Sequence, residues 1–329
     1  MRIARAVGAT GRMMIRVGVL LLLFVAYQLW GTGIQTTAAQ RRLGTEFKAQ
    51  QVAVAAGEGA STTTASTSST VDPATVATSP ASVLPPSGPS PSELPPPEPG
   101  QAIGQITIAD IGAQFYIVEG VDLRWLQEGP GHFPSTALPG QAGNAALAGH
   151  RTTYKAPFNR IDELEPGANI VVETVQGTFT YEVLPQPGGP DEPPKGHFVV
   201  SPYQTEILED KGDNRLTLMA CNPKYSAAQR IVVEARLVTP AAPTTPQTTP
   251  AAENAGPAAL DDLAGNDSSA WPHAFAWSAL AVGIWFGAWF VGHRNRRWRW
   301  PAYAIALPLF VVVLYFSFEN VARLLPASY

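Results

Sequence analysis

The stretch LTLMACNPKYSAAQR (Leu216–Arg230) runs directly into IVVEARLV (Ile231–Val238), and the reading of these two segments decides the fold. Two apolar alternations flank the polar loop NPKYSAAQ (Asn222–Gln229), which is the pattern of an antiparallel strand pair. Placing Cys221 opposite Arg230 sets Ala220 against Ile231, Leu218 against Val233 and Leu216 against Ala235, so one face is wholly apolar. The other face then pairs Met219 with Val232 and Thr217 with Glu234. A one-residue slip would mix the two sets, and this register is therefore expected. It brings the Cα atoms of Cys221 and Arg230 to about 4.5–5.5 Å, with a loop over them in which Pro223 cannot extend the ladder.

Further short alternations precede this pair, bounded by Gly, Pro, Asn and Asp: IGQITIAD, QFYIVEG, NAALAGHR, NIVVETV, TFTYEVL and HFVVSP. With the last two strands they make eight, which predicts an all-β barrel or sandwich over residues 100–238. The hairpin between NIVVETV and TFTYEVL is expected to turn at Gln176-Gly177. Val121–Gly129 and Ala156–Leu164 read as short helices set on the β framework.

Either side of this segment the composition changes. Residues 35–99, above all the Ala/Ser/Thr/Pro-dominated part from Gln50 onward, read as a spacer. Residues 239–272, with TPAAPTTPQTTP, read as a linker partly extended by its prolines.

Three apolar runs approach the ~20 residues that cross a bilayer: 17–34, 273–292 and 302–319. The first follows Arg2, Arg5, Arg12 and Arg16, and is read as an uncleaved anchor; the small residues of TTAAQ keep a cleavable signal peptide as the competing reading. The second and third are joined by HRNRRWRWP, residues 293–301, which holds four arginines. The positive-inside rule puts this connector and residues 1–16 in the cytoplasm, which places 100–238 outside, with 320–329 as a short tail. A plasma-membrane, multi-pass protein is expected. The net charge of −4 indicates no highly charged partner, and the clusters of basic residues flank the apolar runs, so nucleic acid is not expected. No metal-ligand spacing is apparent, and neither metal nor cofactor is expected.

Cys221 is the only cysteine in 329 residues. Outside the cytoplasm an unpaired thiol is a liability unless it is buried or used. A cation such as Arg230 favours the reactive thiolate, and its planar donors suit a carbonyl oxygen becoming an oxyanion. The chemistry also needs an acid–base group, and histidine fits. Of five, His273 and His293 flank the second apolar run, and His197 reads as a strand-start residue. His132, in EGPGHFPSTALPG, reads equally as cleft-lining or as an ordinary loop residue. His150 closes the strand NAALAGH where a side chain leaves the sheet edge.

Taken together, GPGHFPSTALPGQAGNAALAGHRTTYKAPFNRIDEL and LTLMACNPKYSAAQRIVVEARL resemble the sortases, cysteine transpeptidases of Gram-positive surfaces, and within them the actinobacterial class E group. The resemblance implies an eight-stranded sortase-type β-barrel with short helices, carried here with three transmembrane helices. It implies Cys221 as nucleophile, His150 as acid–base residue and Arg230 as oxyanion and substrate-backbone clamp, with substrate contacts at His132, Thr136, Tyr154, Ala220 and Asn222. Ala220 departs from the family's usual threonine before the cysteine, which bears on substrate preference. The implied partners are surface proteins with a C-terminal Leu-Pro/Ala-x-Thr-Gly signal, and a peptidoglycan-precursor or pilin amine as acceptor. The alternatives are a catalytically inactive sortase-like binding module and a membrane hairpin whose Gly283, Gly287 and Gly292 receive another helix. An L,D-transpeptidase would carry histidine close before the cysteine, where Met219 and Ala220 stand.

Overall fold

A computed structural model describes residues 2–62, 95–188, 192–245 and 268–324. The remainder of the expected spacer (63–94), most of the expected linker (246–267) and the last five residues of the tail lie outside the described residues.

The strands are β1 (Ala102–Ile108), β2 (Ala113–Glu119), β3 (Gly131–His132), β4 (Asn144–Ala148), β5 (Asn169–Thr174), β6 (Gly177–Val183), β7 (Phe198–Val200), β8 (Arg215–Asn222) and β9 (Gln229–Leu237). They pair in the order β6-β5-β1-β2-β3-β4-β8-β9, and β9 closes back onto β6. The result is a closed eight-stranded barrel, with β7 added on the free edge of the first half of β9. The ring includes the two-residue β3, where the turn-rich sequence predicts a loop. It excludes β7, one of the eight expected strands.

The β8–β9 register is the one the apolar pattern requires: Leu216 faces Ala235, Leu218 Val233, Ala220 Ile231 and Cys221 Arg230. The first three pairs are buried in the barrel core with Ile106, Leu147, Ile170 and Tyr181. Met219 and Val232, on the other face, pack with Leu126, Phe133, Ala148 and Val200 under the outer loops. Parallel pairing of β4 with β8 matches Leu147 to Leu218 and Ala148 to Met219. The strands β4, β8 and β9 are therefore neighbours, and β4 and β8 end at the rim where β9 begins.

Several expectations are corrected. The β5–β6 turn falls on Val175-Gln176, because Thr174 already pairs with Gly177. The helix expected over 121–129 is the single turn α3 (Leu123–Leu126), and that over 156–164 is a 3-10 turn, Ile161–Glu163. The second stretch uses its polar groups elsewhere: the Phe158 amide donates to the His150 carbonyl at 3.2 Å, and Asn159 Nδ2 to the Arg151 carbonyl at 2.7 Å. The largest correction concerns the expected spacer. Helix α1 (Arg2–Ala26) passes through a π-helical turn, Tyr27–Gly31, into α2 (Thr32–Thr62), so residues 35–62 are helical. Leu43 and Phe47 are buried against Ala102 and Val118 of the barrel wall, and this tertiary contact stabilises a helix whose low apolar content hides it from pattern reading. The expected linker also starts late, since Ala242 bridges to Gln141 and the buried Thr245 exchanges hydrogen bonds with the Gln141 side chain.

Helices α4 (Trp271–Arg294) and α5 (Arg299–Arg323) form an antiparallel pair in which the hydroxyls of Ser278 and Ser317 hydrogen-bond at 2.8 Å. The rings of Phe24 and Tyr27 meet Phe318 and Tyr315 edge-on, which joins the first helix to the pair. These three helices are long and apolar enough to cross a membrane.

Candidate active site

His150, Cys221 and Arg230 line one small pocket of about 30 Å³, whose wall also includes Leu126, Gly149 and Met219. Strand order explains the convergence. Gly149 extends β4 by donating its amide to the Met219 carbonyl at 3.0 Å, which delivers His150 beside the end of β8. Gly149 is required there, because a Cβ would come within 2.6 Å of the Phe158 ring. Cys221, half-buried, is the last residue but one of β8, and Arg230, the second of β9, stands directly opposite it.

Arg230 is 2% exposed. Its Nη1 donates to the carbonyls of Ala227 and Gln229 at 2.9 and 3.1 Å, which fixes the guanidinium against the β8–β9 loop. Its Nη2 is buried and has no hydrogen-bond partner among the described residues. A buried donor without an acceptor is costly, so this nitrogen marks a place where an oxygen would be welcome.

The imidazole of His150 is buried, its centroid 4.8 Å from the Tyr154 ring and its Nδ1 3.5 Å from the Thr153 hydroxyl. Burial pushes the Cys221 thiol above its ordinary value, while the cations of Arg230 and Arg151 pull it down. In this state burial wins.

Arg151 was missed by the sequence reading. It is 4% exposed, and its Nη1 donates to the Cys221 carbonyl at 3.3 Å and to Asn222 Oδ1 at 2.8 Å. Its Nη2 pairs with Asp162 at 2.9 Å. Asn222, expected at substrate, is thus held by Arg151 on one side and donates to Gln229 Oε1 at 3.2 Å on the other. Ala220 lines the pocket, and its small side chain belongs to the core beneath. Tyr154 is buried against His150.

His132 and Thr136 are not among the pocket-lining residues. His132 is 1% exposed; its Nδ1 meets Glu119 Oε2 at 2.8 Å, and its Nε2 lies 2.9 Å from the Ala137 carbonyl and 3.2 Å from the Thr136 hydroxyl. Burial alone would lower its pKa, but the charge and hydrogen bond of Glu119 and the Ala137 carbonyl outweigh that and raise it. Thr136 also donates to the Phe133 carbonyl at 2.8 Å and accepts from the Ala146 amide. Together these groups brace the loop between β3 and β4. Among the described residues no cluster of His, Cys, Asp or Glu suits a metal ion.

A sulfur, an imidazole and a guanidinium with a spare buried donor, on one pocket at the rim of a closed β-barrel, define a cysteine acyl-transfer site. Residues 106–238 match the Sortase domain family. Sortase SrtE1 of Streptomyces coelicolor is 32% identical over 248 residues, 70% of this chain and 56% of the relative. Sortase SrtE2 of the same organism is 27% identical over 256 residues, 71% of this chain and 83% of the relative. A Clostridium perfringens Sortase D5 transpeptidase structure superposes with a TM-score of 0.37 at 32% identity, covering 43% of this chain and 82% of that one. Residues 106–238 of this chain therefore form a Sortase domain. The chain spans little more than half the length of SrtE1.

Proposed function

We propose that this protein cleaves a Leu-Pro/Ala-x-Thr-Gly sorting signal between Thr and Gly and transfers the threonine acyl group to an amine. Cys221 passes its proton to His150 and attacks the threonine carbonyl, the developing oxyanion takes the spare Nη2 of Arg230, and His150 gives that proton to the departing glycine amine. A thioester to Cys221 remains. An amine of a peptidoglycan precursor or a pilin lysine then attacks it, its proton passing to His150, and the new amide leaves the thiolate behind. The observation that carries this reading is the direct opposition of Cys221 and Arg230 across β8 and β9, with His150 delivered to the same pocket by β4. That pocket has room for about one small group, which suits a single carbonyl oxygen.

The same reading puts the barrel outside the cytoplasm. The arginines before the first apolar run and those between α4 and α5 assign both positions to the cytoplasmic side, so an odd number of crossings separates them from residues 100–238. The N-terminal helix and the α4–α5 pair would then hold the site close to the membrane surface.

The test is mass spectrometry of the full-length chain in detergent with a library of five-residue sorting peptides and an added amine. The expected result is a motif-dependent acyl adduct on Cys221 that the amine resolves, and none in Cys221→Ala. Motif-dependent binding without any adduct would replace this reading by the inactive binding module.

A further inference from the structure

The helix that leaves the first apolar run reaches the catalytic histidine's loop. The π-helical turn Tyr27–Gly31 adds a residue to the helical register, and Gly31 allows the Tyr27 ring to fold over it, since a Cβ there would lie 2.5 Å from that ring. Such turns rotate the face that follows. Here the rotation sets Thr32 and Thr36 against the barrel, 1% and 0% exposed. The Thr36 hydroxyl donates to the Gln127 carbonyl at 2.8 Å. The Thr32 hydroxyl donates to the Gln28 carbonyl at 3.0 Å and accepts from the Tyr154 amide at 3.2 Å, so it ties two segments 122 residues apart.

What it ties is strained. Tyr154, Lys155 and Ala156 have φ of 52°, 62° and 44°, three successive non-glycine residues in the left-handed region. Such a run persists only where its surroundings over-determine it. The hydrogen bond that the Tyr154 amide donates to Thr32 fixes its first residue, and that residue's ring lies against His150, centroids 4.8 Å apart and planes tilted by 39°.

We propose that Thr32 is a positioning residue for His150, so that the N-terminal apolar helix is a working part of the catalytic site. This rests on the acid–base role given to His150 above. Without the Thr32 acceptor the 154–156 run relaxes, the Tyr154 ring leaves its place, and the imidazole is no longer held against the sulfur's pocket.

The test uses the full-length chain with Thr32→Val, Thr32→Ser and, as a control on helix docking, Thr36→Val. Two quantities are read: turnover of a Leu-Ala-x-Thr-Gly peptide, and the pH profile of iodoacetamide alkylation, which reports Cys221 alone because it is the only cysteine. Thr32→Val is expected to lower kcat about tenfold or more with little change in KM, and to shift the alkylation profile. Thr32→Ser restores both, and Thr36→Val changes neither. A Thr32→Val chain equal to the parent in both readouts overturns the proposal, as does a Thr36→Val chain showing the same loss. Alkylation needs no peptide, so a shifted profile in a chain that cleaves nothing upholds the role of Thr32 and sinks the transpeptidase reading. Cleavage by the parent with an unaltered Thr32→Val does the reverse.

Discussion

Arg151 Nη1 lies 2.8 Å from Asn222 Oδ1, and the same nitrogen reaches the Cys221 carbonyl at 3.3 Å. One guanidinium thus clamps the loop that carries His150 to the strand end that carries Cys221, with Asp162 anchoring its Nη2. Lysine could supply the charge but not the fork. Arg151→Lys is therefore expected to lower kcat/KM by about one to two orders of magnitude while leaving the thermal midpoint within a few degrees of the parent. Arg151→Met, which also removes a cation, is expected to do worse. Steady-state kinetics beside a thermal melt checks both.

Alkylation of Cys221 tracks its thiolate fraction. Burial holds the thiol above its ordinary value against the pull of Arg230 and then Arg151, so the rate with iodoacetamide is expected to climb through a midpoint higher than that of a solvent-exposed cysteine. The sign for variants follows from the charges: a cation favours the thiolate, so Arg230→Met or Arg151→Met moves the midpoint further up and slows alkylation at pH 7. A midpoint unmoved by Arg230→Met would show that the guanidinium does not act on the sulfur.

His132 and Glu119 form a buried pair in the β3–β4 brace. The raised pKa of His132 means that the folded chain holds the proton more tightly than the unfolded chain. Its stabilisation is then fully present below the ordinary histidine value of about 6.5 and is lost as pH rises through the raised folded value. The difference in thermal midpoint between the parent and His132→Gln is expected to shrink as pH climbs across that window. Glu119→Gln leaves a buried imidazole without its countercharge, and is expected to cost about 3 kcal/mol at pH 6, measured by denaturant unfolding.

The parts of the site set by alternation were legible in the sequence. The β8–β9 register followed from Leu216, Leu218 and Ala220 needing one face, and it delivered the Cys221–Arg230 opposition. The parts set by long-range polar contacts were not. Nothing in EGPGHFPST indicates that His132 will meet Glu119 across parallel-paired strands, so a structural histidine was expected at substrate. Arg151 stands next to His150 in the chain, and its reach to the neighbouring strand depends on the parallel β4–β8 pairing, which local pattern does not specify. Helix α2 escaped because, among its described residues, Leu43 and Phe47 are the only large apolar side chains that are buried, the remaining attachment being made by polar side chains such as Thr32 and Thr36.

Gln40 is the clearest of those polar attachments. Its Oε1 accepts from the Tyr116 amide at 2.8 Å, and its Nε2 donates to the carbonyls of Tyr116 and Glu128, both at 2.9 Å. The short β3 pairs with β2 only at Val118 and Glu119, so at Tyr116 the β2 edge lacks a strand, and one glutamine amide supplies the missing rung. Gly129 leaves the space for it, since a Cβ there would lie 2.4 Å from Nε2. Gln40→Leu keeps the bulk but strands a backbone amide and two carbonyls, and is expected to cost about 1–3 kcal/mol in denaturant unfolding. The Tyr116 amide should also lose protection in hydrogen exchange, which a general loss of packing would not confine to that site. Gln40→Glu keeps the acceptor and replaces two donations by repulsion from two carbonyl oxygens, so it is expected to be the more damaging substitution at neutral pH and to recover as the carboxylate is protonated. Equal stability of the parent and Gln40→Leu would mean that water satisfies this edge as well as the glutamine does.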